Sequence, residues 1–259
     1  MTPNLNTLIS LAKGAGKILR AGYSQAKDVR YKGTVDLVTQ FDHQSEDYLV
    51  GEIRRQFPQD TIVTEESGLL NGNGGGRWYI DPLDGTVNFA HGVPIFAVSI
   101  AYEEAGQMKY GVIYDPLRDE CFCAEAGQGA TLNGEPIQVS AAPDLIHSLM
   151  VTGLPYDLLE TTQNNLDNFV RFSRHCQGVR RLGAAALDLC YVACGRLDGY
   201  WEIRLSAWDI AAGSLIVREA GGVMTDVEGD PQVMKAPFSV LAANATIHPL
   251  MLELLQDKV

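Results

Sequence analysis

The chain has 259 residues, 46% of them hydrophobic, and a net charge of −12 from 20 basic and 32 acidic side chains. That length and apolar content suffice for one large domain or two small ones, each able to bury a core. The acidic balance disfavours nucleic acid and anionic membrane surfaces as partners, and no apolar run approaches spanning length, so neither is expected. The opening stretch, Met1 to Ser10, lacks a basic segment followed by an apolar one, and secretion is therefore not expected. Five cysteines, odd in number and without a Cys-x-x-Cys pair, argue against a disulfide framework or structural zinc and fit a reducing cytoplasm.

In chain order, Leu5, Leu8, Ile9, Ala12, Gly16 and Leu19 recur at helical spacing and predict an amphipathic first helix. Residues 30–38 read as extended. Thr39 followed by Asp42 has the pattern of a capping box, opening a second helix with Tyr48, Leu49, Ile53 and Phe57 on its buried side; Pro58 ends it. Thr61 to Thr64 is a short β-branched strand that runs into Glu65 and Glu66. Leu69 to Arg77 is glycine-rich and predicts a flexible loop without phosphate-loop spacing.

Trp78, Tyr79 and Ile80 predict the end of a buried strand, which delivers Asp81 to a sharp turn at Pro82. Asp81 and Asp84 then converge, and Gly85 permits a close backbone approach, with the N–H groups of Gly85, Thr86 and Val87 facing an anion if a helical turn starts there. Two hard carboxylates, a hydroxyl and free N–H groups at a strand end suggest an oxygen-coordinated divalent cation holding a phosphate. A plain acidic turn that caps a short helix is the competing structural reading, but such a turn needs only one carboxylate.

Beyond this stretch, 95–102 and 108–114 predict an antiparallel hairpin about Glu-Ala-Gly-Gln, with further strands at 121–124 and 137–139 around the Asn133-Gly134 turn. A βαβα rhythm begins near Pro143: a strand at 149–152, helices at 161–174 and 183–194, and a strand at 197–203. Ser206 and Asp209 form a second capping-box pattern opening a helix over 207–220, after which a strand at 239–242 precedes a closing helix capped by Thr246. There is no internal repeat and no sign of a disordered tail.

Three separated stretches, taken together, resemble the inositol monophosphatases, Mg²⁺-dependent, lithium-sensitive phosphatases of the fructose-bisphosphatase-like superfamily. They are Asp81-Pro82-Leu83-Asp84-Gly85-Thr86-Val87-Asn88-Phe89, the preceding Glu65-Glu66, and Trp208-Asp209-Ile210-Ala211-Ala212-Gly213. The resemblance implies a mixed α/β, layered αβαβα sandwich in which an N-terminal half, 1–142, carries the metal motif and 143–259 completes the site. It also implies a homodimer acting on a small phosphorylated polyol or sugar. Glu65, Asp81, Asp84 and Asp209 fall on the metal-binding side chains, with the Leu83 carbonyl a further ligand. Thr86 and Asp42 fall on the activating dyad, which with Glu65 would orient an attacking water. Asp84, Gly85 and Thr86 fall where the phosphate is held; Gly183, Ala184, Ala185, Glu202 and Asp209 fall where the polyol is contacted. One departure is Leu154-Pro155, where some members present a serine to the inositol ring.

The implied reaction is hydrolysis of inositol monophosphate to myo-inositol and phosphate by metal-activated water. Within the superfamily the alternatives are histidinol-phosphate phosphatase, fructose-1,6-bisphosphatase and 3′-phosphoadenosine-phosphate nucleotidase. Aspartyl-phosphate hydrolases place their two acids two residues apart, whereas here the spacing is three. No Gly-x-Ser-x-Gly or His-Glu-x-x-His occurs, and His43, His91, His147, His175 and His248 are scattered. A non-catalytic metal- or protein-binding module is the alternative of a different class; it would have no use for Glu65, Asp42 and Thr86 together.

Overall fold

The computed structural model describes residues 2–31, 37–155, 161 and 164–256. The predicted first helix is α1 (Leu5–Gly22), capped by Asn4, whose side chain accepts the Thr7 N–H. β1 (Val29–Tyr31) and β2 (Leu37–Thr39) pair antiparallel; the middle of the expected extended stretch, 32–36, lies outside the described residues. α2 (Gln40–Gln56) opens on the Thr39–Asp42 capping box and stops before Pro58.

An eight-stranded sheet follows: β3 (Thr61–Thr64), β4 (Gly68–Leu70), β5 (Gly76–Asp84), β6 (Ala97–Glu104), β7 (Gln107–Asp115), β8 (Glu120–Glu125), β9 (Ala130–Leu132) and β10 (Glu135–Pro136). The short α3 (Thr86–His91) lies between β5 and β6. Pairing is antiparallel except between β3 and β5. The expected hairpin turns at Ala105 and Gly106, at φ 52° and 75°, the geometry that suits the twist of its strands.

Three local expectations need correction here. The glycine-rich stretch is not a loop throughout, because Gly68–Leu70 pairs with β3 and the next strand begins at Gly76. The strand after Asn133-Gly134 is Glu135–Pro136 rather than 137–139, since the tight turn requires immediate pairing with β9. The strand carrying Trp78 does not end at Ile80 in a sharp turn; it continues to Asp84 through a bulge.

The second sheet has five strands in the order β12, β11, β13, β15, β14: β11 (Leu149–Thr152), β12 (Gly178–Arg180), β13 (Gly199–Leu205), β14 (Val223–Thr225) and β15 (Phe238–Ala243). β11 runs parallel to β12 and β13, while β15 is antiparallel to β13 and β14. β12 and β14, three residues each, are too short to carry a periodic signal. Helices α4 (Leu166–Ser173), α5 (Ala185–Ala193), α6 (Ala207–Glu219) and α7 (His248–Gln256) complete the chain. α4 is shorter than 161–174: Thr161 is not helical and residues 162–163 lie outside the described residues. Asn244, not Thr246, caps the turn into α7, its Oδ1 accepting the N–H groups of Thr246 and Ile247. Residues 257–259, where the expected absence of a disordered tail falls, lie outside the described residues.

The layers are α1 and α2, the eight-stranded sheet, α5 and α6, the five-stranded sheet, then α4 and α7. This is the expected αβαβα sandwich. Strands buried on both faces read as nearly continuous apolar runs: on β5, Trp78 and Ile80 face the α1–α2 core while Tyr79 faces the central core with α5 and α6. A third core, around Phe172, Trp201 and Met251, lies under α4 and α7. Each fully buried side chain of this size contributes about 1.5–3 kcal/mol. No helix among the described residues is long and apolar enough to cross a membrane, and all five cysteines are free thiols.

Candidate metal and phosphate site

Residues i and i+3 of a regular strand face opposite sides of a sheet. On β5, Asp81 pairs with Ser99 and Asp84 with Ala97, so three steps on β5 span two on β6. The extra residue is a β-bulge, and it brings both carboxylates to the face that meets α5 and α6. Asp81 Oδ1 accepts the Leu83 N–H at 3.0 Å, and Asp84 accepts those of Ala185 and Ala186, at the start of α5, at 3.1 and 2.9 Å.

Directly after the bulge, Gly85 sits at φ 88°, where an L side chain is strained, and a methyl there would approach the Ile95 carbonyl to 2.9 Å and Gly183 O to 3.3 Å. Asn88 fixes this approach by donating to the carbonyls of Ile95 and Leu182 at 2.9 and 2.8 Å.

Asp42 does two jobs with two oxygens. Asp42 Oδ2 accepts from Thr39 N and Oγ1 at 2.9 and 2.6 Å, closing the capping box, while its Oδ1 accepts the Thr86 hydroxyl at 2.9 Å. The same hydroxyl lies 2.9 Å from the Leu83 carbonyl, and its single proton serves one acceptor at a time. Asp209 Oδ2 accepts the Ser206 N–H at 2.7 Å and caps α6 in the same manner.

Glu65 follows β3, and Glu46 of α2, 4% exposed, clamps the turn around it by accepting from Thr64 Oγ1 at 2.6 Å, Glu66 N at 3.0 Å and Ser67 Oγ at 2.5 Å. Glu46 escaped the sequence reading. Its spacing from Asp42, Leu49 and Ile53 puts it on the apolar side of α2, and an acid in that position was the available signal.

One cavity of about 500 Å³ is lined by Glu65, Asp81, Leu83, Asp84, Gly85, Thr86, Gly183, Ala184, Ala185, Glu202 and Asp209. Asp42 lies behind it, reached through Thr86. All twelve residues singled out in the sequence are therefore at one place. Leu154-Pro155 is there too, as are Arg181 and Arg204, which the sequence reading did not select. Glu202 accepts the Tyr200 hydroxyl at 2.6 Å and lies so close over Gly153 that a methyl there would clash with its carboxylate.

Burial of so many acids shows in their ionisation. Desolvation pushes Asp81 well above the usual carboxylate range, and the charges of Glu65, Asp84 and Asp209 push it further. Asp209 is likewise raised, mainly by burial, against the lowering effect of its Ser206 bond. Asp84 is raised to about 6 by burial, its helix N–H bonds partly offsetting the rise. Glu202 reaches about 7, again by burial first, with the Tyr200 bond and Arg181 opposing. Burial also raises Asp42, against its hydrogen bonds.

Among the described residues no group of three or more His, Cys, Asp or Glu side chains stands in an arrangement that could hold a metal ion. The donor set nevertheless fits a hard divalent cation: carboxylate and carbonyl oxygens only, with like charges crowded where a cation would relieve them.

The family model for the inositol monophosphatase family matches residues 1–259. The chain is 42% identical over 254 residues to the Nus factor SuhB of Pasteurella multocida, covering 97% of this chain and 95% of that protein. Among solved structures, the extragenic suppressor protein suhB from Bartonella henselae superposes with a TM-score of 0.92 at 39% identity, covering 98% of each chain. The inositol monophosphatase from Anabaena (Nostoc) superposes with a TM-score of 0.89 at 42% identity, covering 98% of this chain and 96% of that one.

Proposed function

The chain belongs to the inositol monophosphatase family, and from that premise we propose that it is a Mg²⁺-dependent phosphomonoesterase that hydrolyses inositol monophosphate to myo-inositol and phosphate. The observation that carries this is the meeting of Glu65, Asp81, Asp84 and Asp209, from three separate stretches, on one cavity backed by the Thr86–Asp42 hydrogen bond. Relatives at equal identity bear two kinds of name, a Nus factor and an inositol monophosphatase. The paired acids favour the second, because a scaffold gains nothing from burying Asp81 and Asp84 beside each other with Glu65 and Asp209 on the same cavity.

In this reading Glu65, Asp81, Asp84, Asp209 and the Leu83 carbonyl hold the cation. When bound, it supplies charge neutralisation for the phosphate, a lowered water pKa and stabilisation of the leaving oxygen. Asp42 holds the Thr86 hydroxyl so that its lone pairs face the cavity, where they and Glu65 accept hydrogen bonds from an attacking water and aim it at phosphorus. The N–H groups of Gly85 and Thr86 bind phosphate oxygens. Gly183, Ala184, Ala185 and Glu202 receive the polyol, with Glu202 accepting from a hydroxyl. The proposal keeps the two halves, 1–142 and 143–259, joined at this site in a cytoplasmic homodimer, whose mass sedimentation would check.

The test is phosphate release from inositol 1-phosphate, histidinol phosphate, fructose 1,6-bisphosphate and 3′-phosphoadenosine phosphate, each with Mg²⁺ and with chelator. Mg²⁺-dependent turnover of inositol 1-phosphate is the expected result. Turnover that survives chelation, or no turnover of inositol 1-phosphate with Mg²⁺ present, overturns it.

A further inference from the structure

Carboxylates suit a cation and accept from the hydroxyls of a polyol; a guanidinium is repelled by a cation and, although it can donate to a hydroxyl oxygen, its planar fork matches carboxylate and phosphate best. Yet Arg181 and Arg204 both line the cavity, next to Glu202. A methyl on Gly183 would lie 3.7 Å from the Arg181 guanidinium, and the Arg181 charge acts on Glu202 and on Asp188, a buried acid with one carboxylate oxygen lacking a hydrogen-bond partner. Balancing those acids accounts for part of what Arg181 does.

Arg204 is placed by its backbone. It is the extra residue of a bulge on β13, where Ile203 pairs with Ser239 and Leu205 with Phe238, and it sits at φ 63°. A side chain bearing Cβ adopts that conformation only at a cost, and glycine would relieve it. Bulges re-aim side chains beside functional sites, and this one sets an exposed cation two residues from Glu202 on the wall of a cavity of about 500 Å³, far more than a phosphate group fills.

We propose that the cavity contains a second anion subsite, formed by Arg204 with Arg181, that favours phosphate monoesters carrying a carboxylate or second phosphate at the end remote from the scissile group. This rests on the phosphatase reading and narrows its substrate class. Inositol 1-phosphate remains a substrate; a second anion improves binding.

The experiment compares KM with Mg²⁺ for three esters of one six-carbon chain: glucitol 6-phosphate, 6-phosphogluconate and fructose 1,6-bisphosphate, with inositol 1-phosphate as reference. The expected result is a KM at least about tenfold lower for one or both dianionic esters than for glucitol 6-phosphate, the size that a charge-assisted hydrogen bond commands. Which of the two leads identifies the second group. Arg204→Gly should bring the ratio to about one without lowering the thermal midpoint, while Arg204→Lys should keep part of the preference. Equal KM values in the unaltered protein, a ratio that survives Arg204→Gly, or turnover of inositol 1-phosphate alone each overturns the inference. Absence of turnover with all four esters would instead remove the phosphatase reading on which it rests.

Discussion

Glu46 on α2 accepts a 2.6 Å hydrogen bond from the hydroxyl of Thr64, the last residue of β3, and that bond ties the N-terminal helix layer to the turn that carries Glu65. Two further bonds, from Glu66 N and Ser67 Oγ, complete the clamp. Glu46→Gln keeps the shape but turns one acceptor into a donor facing donors. If Glu65 holds the cation as proposed, loosening the turn that carries it should cost about tenfold in metal affinity, the lower end of what loss of an outer partner of a ligand does. The half-saturating Mg²⁺ concentration should therefore rise by that order, while KM at saturating Mg²⁺ changes little. Unchanged Mg²⁺ dependence would show that Glu65 does not need the clamp.

Thr86 offers a second test, because its hydroxyl links Asp42 to the cavity. Thr86→Ala should lower kcat by about 10²-fold, the lower end of what a positioned proton acceptor supplies, whereas Thr86→Ser should retain most of it. Equal loss in both variants would mean that the methyl group, not the hydroxyl, is what matters.

Gly85 combines a φ of 88° with the 2.9 Å approach to the Ile95 carbonyl. Gly85→Ala therefore meets strain and a clash together, and should destabilise the fold by about 1–3 kcal/mol, read as a lower urea midpoint. A midpoint unchanged within error would show that the turn relaxes freely.

Much of the site was legible because its residues also obey local rules. Thr39 with Asp42 and Ser206 with Asp209 announce helix starts, so their positions followed from capping alone; only the structure shows that Asp42 spends one oxygen on the cap and the other on Thr86, and that Asp209 caps α6 on the wall of the same cavity. The convergence of Asp81 and Asp84 was anticipated, but through a turn at Pro82 rather than a bulge. A bulge is set by the register against Ser99 and Ala97, which no local pattern encodes. Glu46 was hidden for a related reason, since its partners lie 18 to 21 residues away on another element. β12 and β14 exist through pairing with longer neighbours, and their own three residues carry no signal.

The crowded acids make stability depend on pH in a sense opposite to most carboxylates. Asp81, Asp84, Asp209 and Glu202 all hold protons to higher pH in the folded chain, Asp84 to about 6 and Glu202 to about 7. Between the ordinary carboxylate value near 4 and about 7 the folded state therefore binds more protons than the unfolded one, and stability falls as pH rises through that window. Without divalent cation, the thermal midpoint should drop between pH 5 and pH 8. Mg²⁺ competes with those protons, so its stabilising effect should be larger at pH 8 than at pH 5, reaching about 2.7 kcal/mol at a hundredfold excess over Kd. Asp81→Asn separates the two effects: its remaining oxygen still accepts the Leu83 N–H, the repulsion is relieved, and the cation loses a ligand. That variant should be more stable than the parent at pH 8 without Mg²⁺, gain little on adding it, and lose phosphatase turnover by about a hundredfold or more. A parent whose midpoint rises from pH 5 to pH 8 without cation would mean that the acids are ionised at no cost, and that relief of their repulsion is not what draws a cation to them.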